Sequence, residues 1–232
     1  MEPIHIILAL AGGILPSALW LWYWTREDKL HPEPKRLLLL AFLVGGVTVA
    51  VSIPLEQLAR TVLGGMITPE ILVAWAGIEE ALKYLAALTV ILWRKAVNEP
   101  IDVLIYMITI ALGFSAVENS LFLLNPIMTE GLLSTIITGN FRFFGATLLH
   151  LLSSSVVGAA LAISFYKGVS TQITYAIVGV ILATILHAAF NLFILNSASN
   201  SLIQIFAFVW LGIVVLLLFF EKVKKMPILP QR

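Results

Sequence analysis

Residues 73–93, VAWAGIEEALKYLAALTVILW, decide how this chain is read. The stretch is long and apolar enough to cross a bilayer, because a spanning helix needs about 20 residues at a rise of 1.5 Å each. Yet Glu79, Glu80 and Lys83 stand near its middle. A charged side chain at that depth costs about 2.5–3.5 kcal/mol on insertion scales. Such groups persist where they pair with one another or line a polar site. The stretch therefore points to an enzyme or a transporter rather than a passive scaffold.

The same anomaly recurs in three other apolar segments. Glu118 lies in VLIYMITIALGFSAVENSLFLL, His150 in FFGATLLHLLSSSVVGAALAI and His187 in YAIVGVILATILHAAFNLFIL. With Glu118 added to the first three, the uncompensated cost is on the order of 10 kcal/mol. The whole chain is 232 residues, 60% hydrophobic and only 12% charged, half the charge of a soluble domain. Its class is all-α, a polytopic integral membrane protein. The absence of cysteine excludes disulfides, thiolate nucleophiles and thiolate metal sites. The opening MEPIHII lacks a basic region, and the apolar run that follows reads as a retained helix rather than a cleaved leader.

Seven stretches are long enough to span: roughly 3–24, 37–58, 69–93, 101–124, 140–166, 173–196 and 201–220. Turn signals separate several of them: His31-Pro-Glu-Pro, Gly64-Gly65, Asn98-Glu-Pro and Asn125-Pro126. Pro16 and Pro54 lie inside the first two stretches as candidate kinks. No connection is long enough to divide the chain, so residues 1–232 read as one domain with a motif-bearing core at about 69–196.

Basic residues set the orientation. Of 14 Lys and Arg, eleven fall on one side: Arg26, Lys29, Lys35, Arg36, Arg94, Lys95, Lys167, Lys222, Lys224, Lys225 and Arg232. Arg60 falls on the other, and Lys83 and Arg142 lie within helices. The positive-inside rule puts the N-terminus outside and the C-terminus in the cytoplasm, as an odd number of spans requires. Helix rise then places Glu79 and Glu80 about 15–17 Å, Glu118 about 9 Å, His150 about 15 Å and His187 about 14 Å below the outer surface. Four helices thus bring ionisable groups to one slab, which is what a shared pocket open to the outside needs.

Spacing assigns expectations within that slab. Glu79 and Glu80 can each meet Lys83, at four and three residues, but they point about 100° apart. One is expected to pair with Lys83 and the other to face a pocket. Ser115 shares a face with Glu118, Ser153 and Ser154 follow His150 by one turn, and Asn191 follows His187 by one turn. Such a set can supply a base for water, an electrophile and oxyanion donors. A zinc site would use His150, His187 and Glu118 with Glu79 as base; a metal-free site would use glutamate as base with His150, His187 and Asn191 around the oxyanion.

Glu79-Glu80-x-x-Lys83, Phe114-x-x-x-Glu118, His150 and His187-x-x-x-Asn191, in this order on successive spans, resemble the motifs of the PrsW family of intramembrane proteases. That family is similar to the CAAX prenyl protease and bacteriocin-immunity group. The segment DKLHPEPKRLLLLAFLVGGVTVAVSIPLE resembles the family's opening, and the likeness covers about residues 28–196. It implies an endopeptidase of the prokaryotic cell membrane, acting near the outer face on a membrane-anchored protein such as an anti-sigma factor. It implies Glu79 as the water base, Glu80 paired with Lys83, and Glu118, His150, His187 and Asn191 completing the site, with Asn119 and Lys83 in support. The wider group often has histidine where Glu118 stands and arginine near Lys83. The partners expected are the bilayer and that substrate, not a nucleic acid. The alternative from another class is a proton- or cation-coupled transporter using the same Glu and His groups.

Overall fold

The structure is a computed structural model, and it describes residues 3–26, 31–196 and 202–226. Lys29 and Arg232, used above for orientation, and the first residues of the proline loop (28–30) lie outside the described residues. The described elements are all helical: α1 (Pro3–Thr25), α2 (Lys35–Val62), α3 (Pro69–Val90), α4 (Pro100–Thr129), α5 (Leu132–Phe141), a π-helical turn (Arg142–Ala146), α6 (Thr147–Ser164), α7 (Val169–Asn196) and α8 (Leu202–Val223).

Among the described residues, five helices are long and apolar enough to cross a membrane: α1, α2, α4, α7 and the continuous run Leu133–Ser164. α3 and α8, at 22 residues each, are shorter than these but still long enough to span, and α3 holds the three ionisable groups. The protein is an integral membrane protein.

α4 is the axis of the bundle. From Val103 to Phe114 it is largely apolar all round, and every residue from Pro100 to Ala116 is buried, as a helix stretch without a polar face must be. α1, α2 and α6 pack directly on it, α3 bridges α2 and α7, α7 leans on α6, and α8 lies against α6. Without water to drive association, membrane helices rely on close backbone approach at small residues. The α2–α4 contact does this at two points: a Cβ on Gly45 would sit 2.1 Å from the Ile110 carbonyl oxygen, and one on Gly113 would sit 1.9 Å from that of Phe42. The same contact lets α2 and α4 frame a cavity beside Glu118.

Two sequence boundaries move. α4 does not stop at the Asn125-Pro126 turn signal but runs through Pro126 to Thr129. Near a helix end a proline forgoes one hydrogen bond at modest cost; the stop comes at Gly131, whose φ of 87° an L side chain rarely adopts. The next span begins at Leu132 rather than Asn140, because α5 and the π-helical turn run directly into α6.

The far end of α4 is closed by Asp102, which accepts hydrogen bonds from the backbone N–H groups of Asn98 (2.8 Å) and Glu99 (2.7 Å). Tyr106 donates to Glu33, tying the proline loop to this end.

Candidate active site

The anomalous groups of α3, α4, α6 and α7 meet. α3 delivers Glu80 and Lys83 three residues apart, and their side chains pair at 2.8 Å, both fully buried. The Glu80 carboxylate also accepts hydrogen bonds from Ser153 (2.9 Å), Ser154 (2.7 Å) and Nδ1 of His187 (2.9 Å). Four donors saturate it, so it holds three helices in register and has no capacity left for a substrate. The two serines expected beside His150 thus serve Glu80 instead, because they lie one turn further along α6, opposite α3.

His150 is held from both ring nitrogens. Lys83 Nζ lies 2.9 Å from Nδ1, and Glu118 Oε2 lies 3.0 Å from Nε2. An ammonium only donates and an ionised carboxylate only accepts. Hence Nε2 of His150 carries the hydrogen and Nδ1 presents a lone pair. The same rule at His187 puts the hydrogen on Nδ1, facing Glu80, and leaves Nε2 bare. The two rings stand edge to face with centroids 5.0 Å apart.

Glu79 completes the centre. Its Oε2 lies 3.7 Å from Nδ1 of His150, 3.8 Å from Nε2 of His187 and 3.6 Å from Lys83 Nζ. Each distance is too long for a hydrogen bond, and this buried oxygen has no hydrogen-bond partner. A carboxylate oxygen and two imidazole lone pairs therefore converge on one small space. Lys83 Nζ serves Nδ1 of His150, but Glu79 Oε2 has no donor within hydrogen-bonding distance, a costly state for an acceptor in a membrane interior. It is relieved by something that takes lone pairs: a cation or a water. The ligand atoms of Glu79, His150 and His187 all lie within 4.8 Å of one another. The carboxylate here is Glu79; Glu118, expected as the third zinc ligand, sits behind His150 on its other nitrogen.

Two residues given no role from sequence join the site. Arg142 donates from Nη2 to Glu118 Oε2 and from Nε to Asn119 Oδ1, both at 2.5 Å. Asn119, expected in a supporting place, donates onward to Thr147 (2.8 Å) and Ser115 (3.1 Å). Ser115 therefore serves Asn119 rather than Glu118. Glu56, at the end of the α2 motif, lines a cavity of about 580 Å³ together with Ser52, Phe114, Glu118, Phe122, Glu130 and others. Phe114 joins that cavity to the centre: it packs under Lys83 Nζ at 4.2 Å and against His150 at 5.3 Å. Asn191 is half-buried one turn beyond His187, and among the described residues no hydrogen bond links its side chain to the cluster.

A family model described as the PrsW family intramembrane metalloprotease matches residues 33–219. The chain belongs to this family. Two proteins named Protease PrsW are similar to it. The one from Bacillus subtilis (strain 168) is 21% identical over 209 residues, 88% of this chain and 92% of that protein. The one from Geobacillus kaustophilus (strain HTA426) is 28% identical over 117 residues, 50% of this chain and 52% of that protein. No solved structure matches. Like other PrsW proteins, this chain is an intramembrane protease. Glu79, Glu80 and Lys83 on α3, Glu118 on α4, His150 on α6 and His187 on α7 are the motif residues that the fold gathers.

Proposed function

We propose that the chain is an endopeptidase that cuts a membrane-anchored protein near the outer membrane face, with Glu79, His150 and His187 as the reaction centre. The observation that carries this reading is the convergence of one unpartnered carboxylate oxygen and two imidazole lone pairs beside a cavity. The cavity lies toward the C-terminal end of α4, at Asn125, Pro126 and Glu130, the end that the positive-inside rule assigns to the outside.

The family description and the donor set agree on a divalent cation. Glu79, His150 and His187 would hold it, two histidines and a glutamate being a ligand set of catalytic zinc. When bound, zinc would polarise the scissile carbonyl and lower the pKa of a water to about 7. The chain's own residues prepare that centre. Glu80 keeps the hydrogen of His187 on Nδ1, and Glu118 keeps that of His150 on Nε2, the carboxylate backing that metal-binding histidines need. Lys83 offsets the charge of the two neighbouring glutamates. On this reading Asn191, one turn beyond His187 on α7, would donate to the substrate backbone.

One contact favours a second arrangement. Lys83 Nζ, 2.9 Å from Nδ1 of His150, already uses the lone pair that a cation would need. In that arrangement Glu79 takes the proton of a water held between it and the two rings, and the histidines and Asn191 face the oxyanion. Metal analysis of purified protein separates the two. One zinc per chain, lost in Glu79→Gln, with cleavage stopped by a chelator and restored by zinc, supports the metal centre. A metal-free preparation that cleaves at full rate and ignores chelators overturns it in favour of the glutamate base.

A further inference from the structure

The first residue of the π-helical turn, Arg142, reaches the centre through an intermediary. Its Nη2 and the Nε2 of His150 meet on the same oxygen, Oε2 of Glu118, at 2.5 and 3.0 Å. Its Nε holds Oδ1 of Asn119 at 2.5 Å, and its guanidinium lies 3.9 Å over the ring of Phe122. Every one of these partners is on α4. A rigid fork with two fixed acceptors and a stacking plane leaves the guanidinium one position, and with it the Glu118 oxygen.

The turn explains how Arg142 comes to face α4. In an unbroken α-helix the eight residues from Arg142 to His150 would turn about 800°, leaving the two side chains roughly 80° apart. A π turn closes i→i+5 rather than i→i+4 and so absorbs about one residue, or about 100°. That correction swings Arg142 onto the face that carries His150. Thr147, just past the turn, is anchored to the same patch of α4 by Asn119 at 2.8 Å.

Resting on the reading that Glu79, His150 and His187 form the reaction centre, we propose that Arg142 is a positioning residue for His150. Through Glu118 it holds the ring's hydrogen on Nε2, while Lys83 holds Nδ1 from the other side, 3.7 Å from Glu79. Glu118 also lines the cavity. Without Arg142 its carboxylate is free to turn toward that space, and Nε2 loses its acceptor. Arg142 itself touches neither the centre nor, on this reading, the scissile bond.

The test reads the tautomer directly. In the purified protein with ¹⁵N-labelled histidine, the His150 signals (assigned by their loss in His150→Ala) are expected to show hydrogen on Nε2. In Arg142→Ala, where Lys83 still holds Nδ1, they move to a mixture of the two tautomers, and Arg142→Lys, which keeps charge but loses the fork, lies between. Zinc affinity and kcat fall about 10- to 100-fold in Arg142→Ala, the usual effect of losing an outer-shell partner, while KM stays within about twofold. Adding Arg142→Ala to Glu118→Gln costs nothing further, because the two act on one path. An unchanged tautomer in Arg142→Ala, or losses that multiply in the double variant, overturns the proposal. The tautomer reading needs no turnover: if Glu79→Gln cleaves normally, the reaction centre is wrong while the result for Arg142 and His150 still stands.

Discussion

Glu79 and Glu80 adjoin in the chain and differ in everything else. Glu80 receives four hydrogen bonds, whereas Glu79 Oε2 receives none. Replacing Glu80 with alanine takes from buried Lys83 its 2.8 Å ion-pair partner, leaving Glu79 at 3.6 Å, and strips Ser153, Ser154 and His187 of their acceptor; we expect a loss of about 3–5 kcal/mol, seen as a large drop in thermal unfolding temperature in detergent. Glu79→Gln removes no hydrogen bond from that oxygen and should change stability by no more than about 1 kcal/mol. A strongly destabilised Glu79→Gln would mean that this carboxylate is structural. The identity of both glutamates, Lys83, Glu118, His150 and His187 was legible in the sequence because charge in an apolar span stands out. The division of labour between Glu79 and Glu80 was only half legible: rotation says they must differ, but not which one Ser153 and Ser154 on another helix will bind. Arg142 was hidden for a plainer reason. In the sequence it falls just inside the start of the span expected at 140–166, where a basic residue is ordinary, and only the π turn aims it at α4.

At the scale of elements, α4 carries the account. The sequence marked it only as an apolar span carrying Glu118, and the structure makes it the axis. Its true end was not legible, since Asn125-Pro126 imitates a turn while Gly131, with its positive φ, makes the stop. The extra turns of α4, with α5 after them, build one wall of the cavity and bring Glu130 and Thr138 to it. The close α2–α4 contact builds the other. A methyl group at Gly113 would drive into the backbone of Phe42. Gly113→Ala should therefore cost about 1–3 kcal/mol and, by parting α2 from α4, raise KM more than it lowers kcat. Equal stability in thermal melts would show that the two helices are not so tightly apposed.

At the scale of the whole molecule, five helices among the described residues are apolar enough to span by composition, and α3 is long enough but carries the ionisable cluster. The orientation is a separate reading, drawn from basic residues, and the absence of native cysteine makes it simple to test. A single cysteine at Glu130 should react with an impermeant maleimide on intact cells, and one at Asn98 only after permeabilisation. The reverse pattern would move the cavity to the cytoplasmic face. The central claim is that hydrolysis occurs where Glu79, His150 and His187 converge. It is tested most directly by reconstituting the purified protein with a single-span substrate in liposomes and mapping the cut by mass spectrometry. We expect cleavage near the outer boundary of the span, lost at least 1,000-fold in Glu79→Gln, a magnitude typical of removing a reaction-centre group, with unfolding temperature unchanged. Full cleavage by folded Glu79→Gln would contradict the assignment.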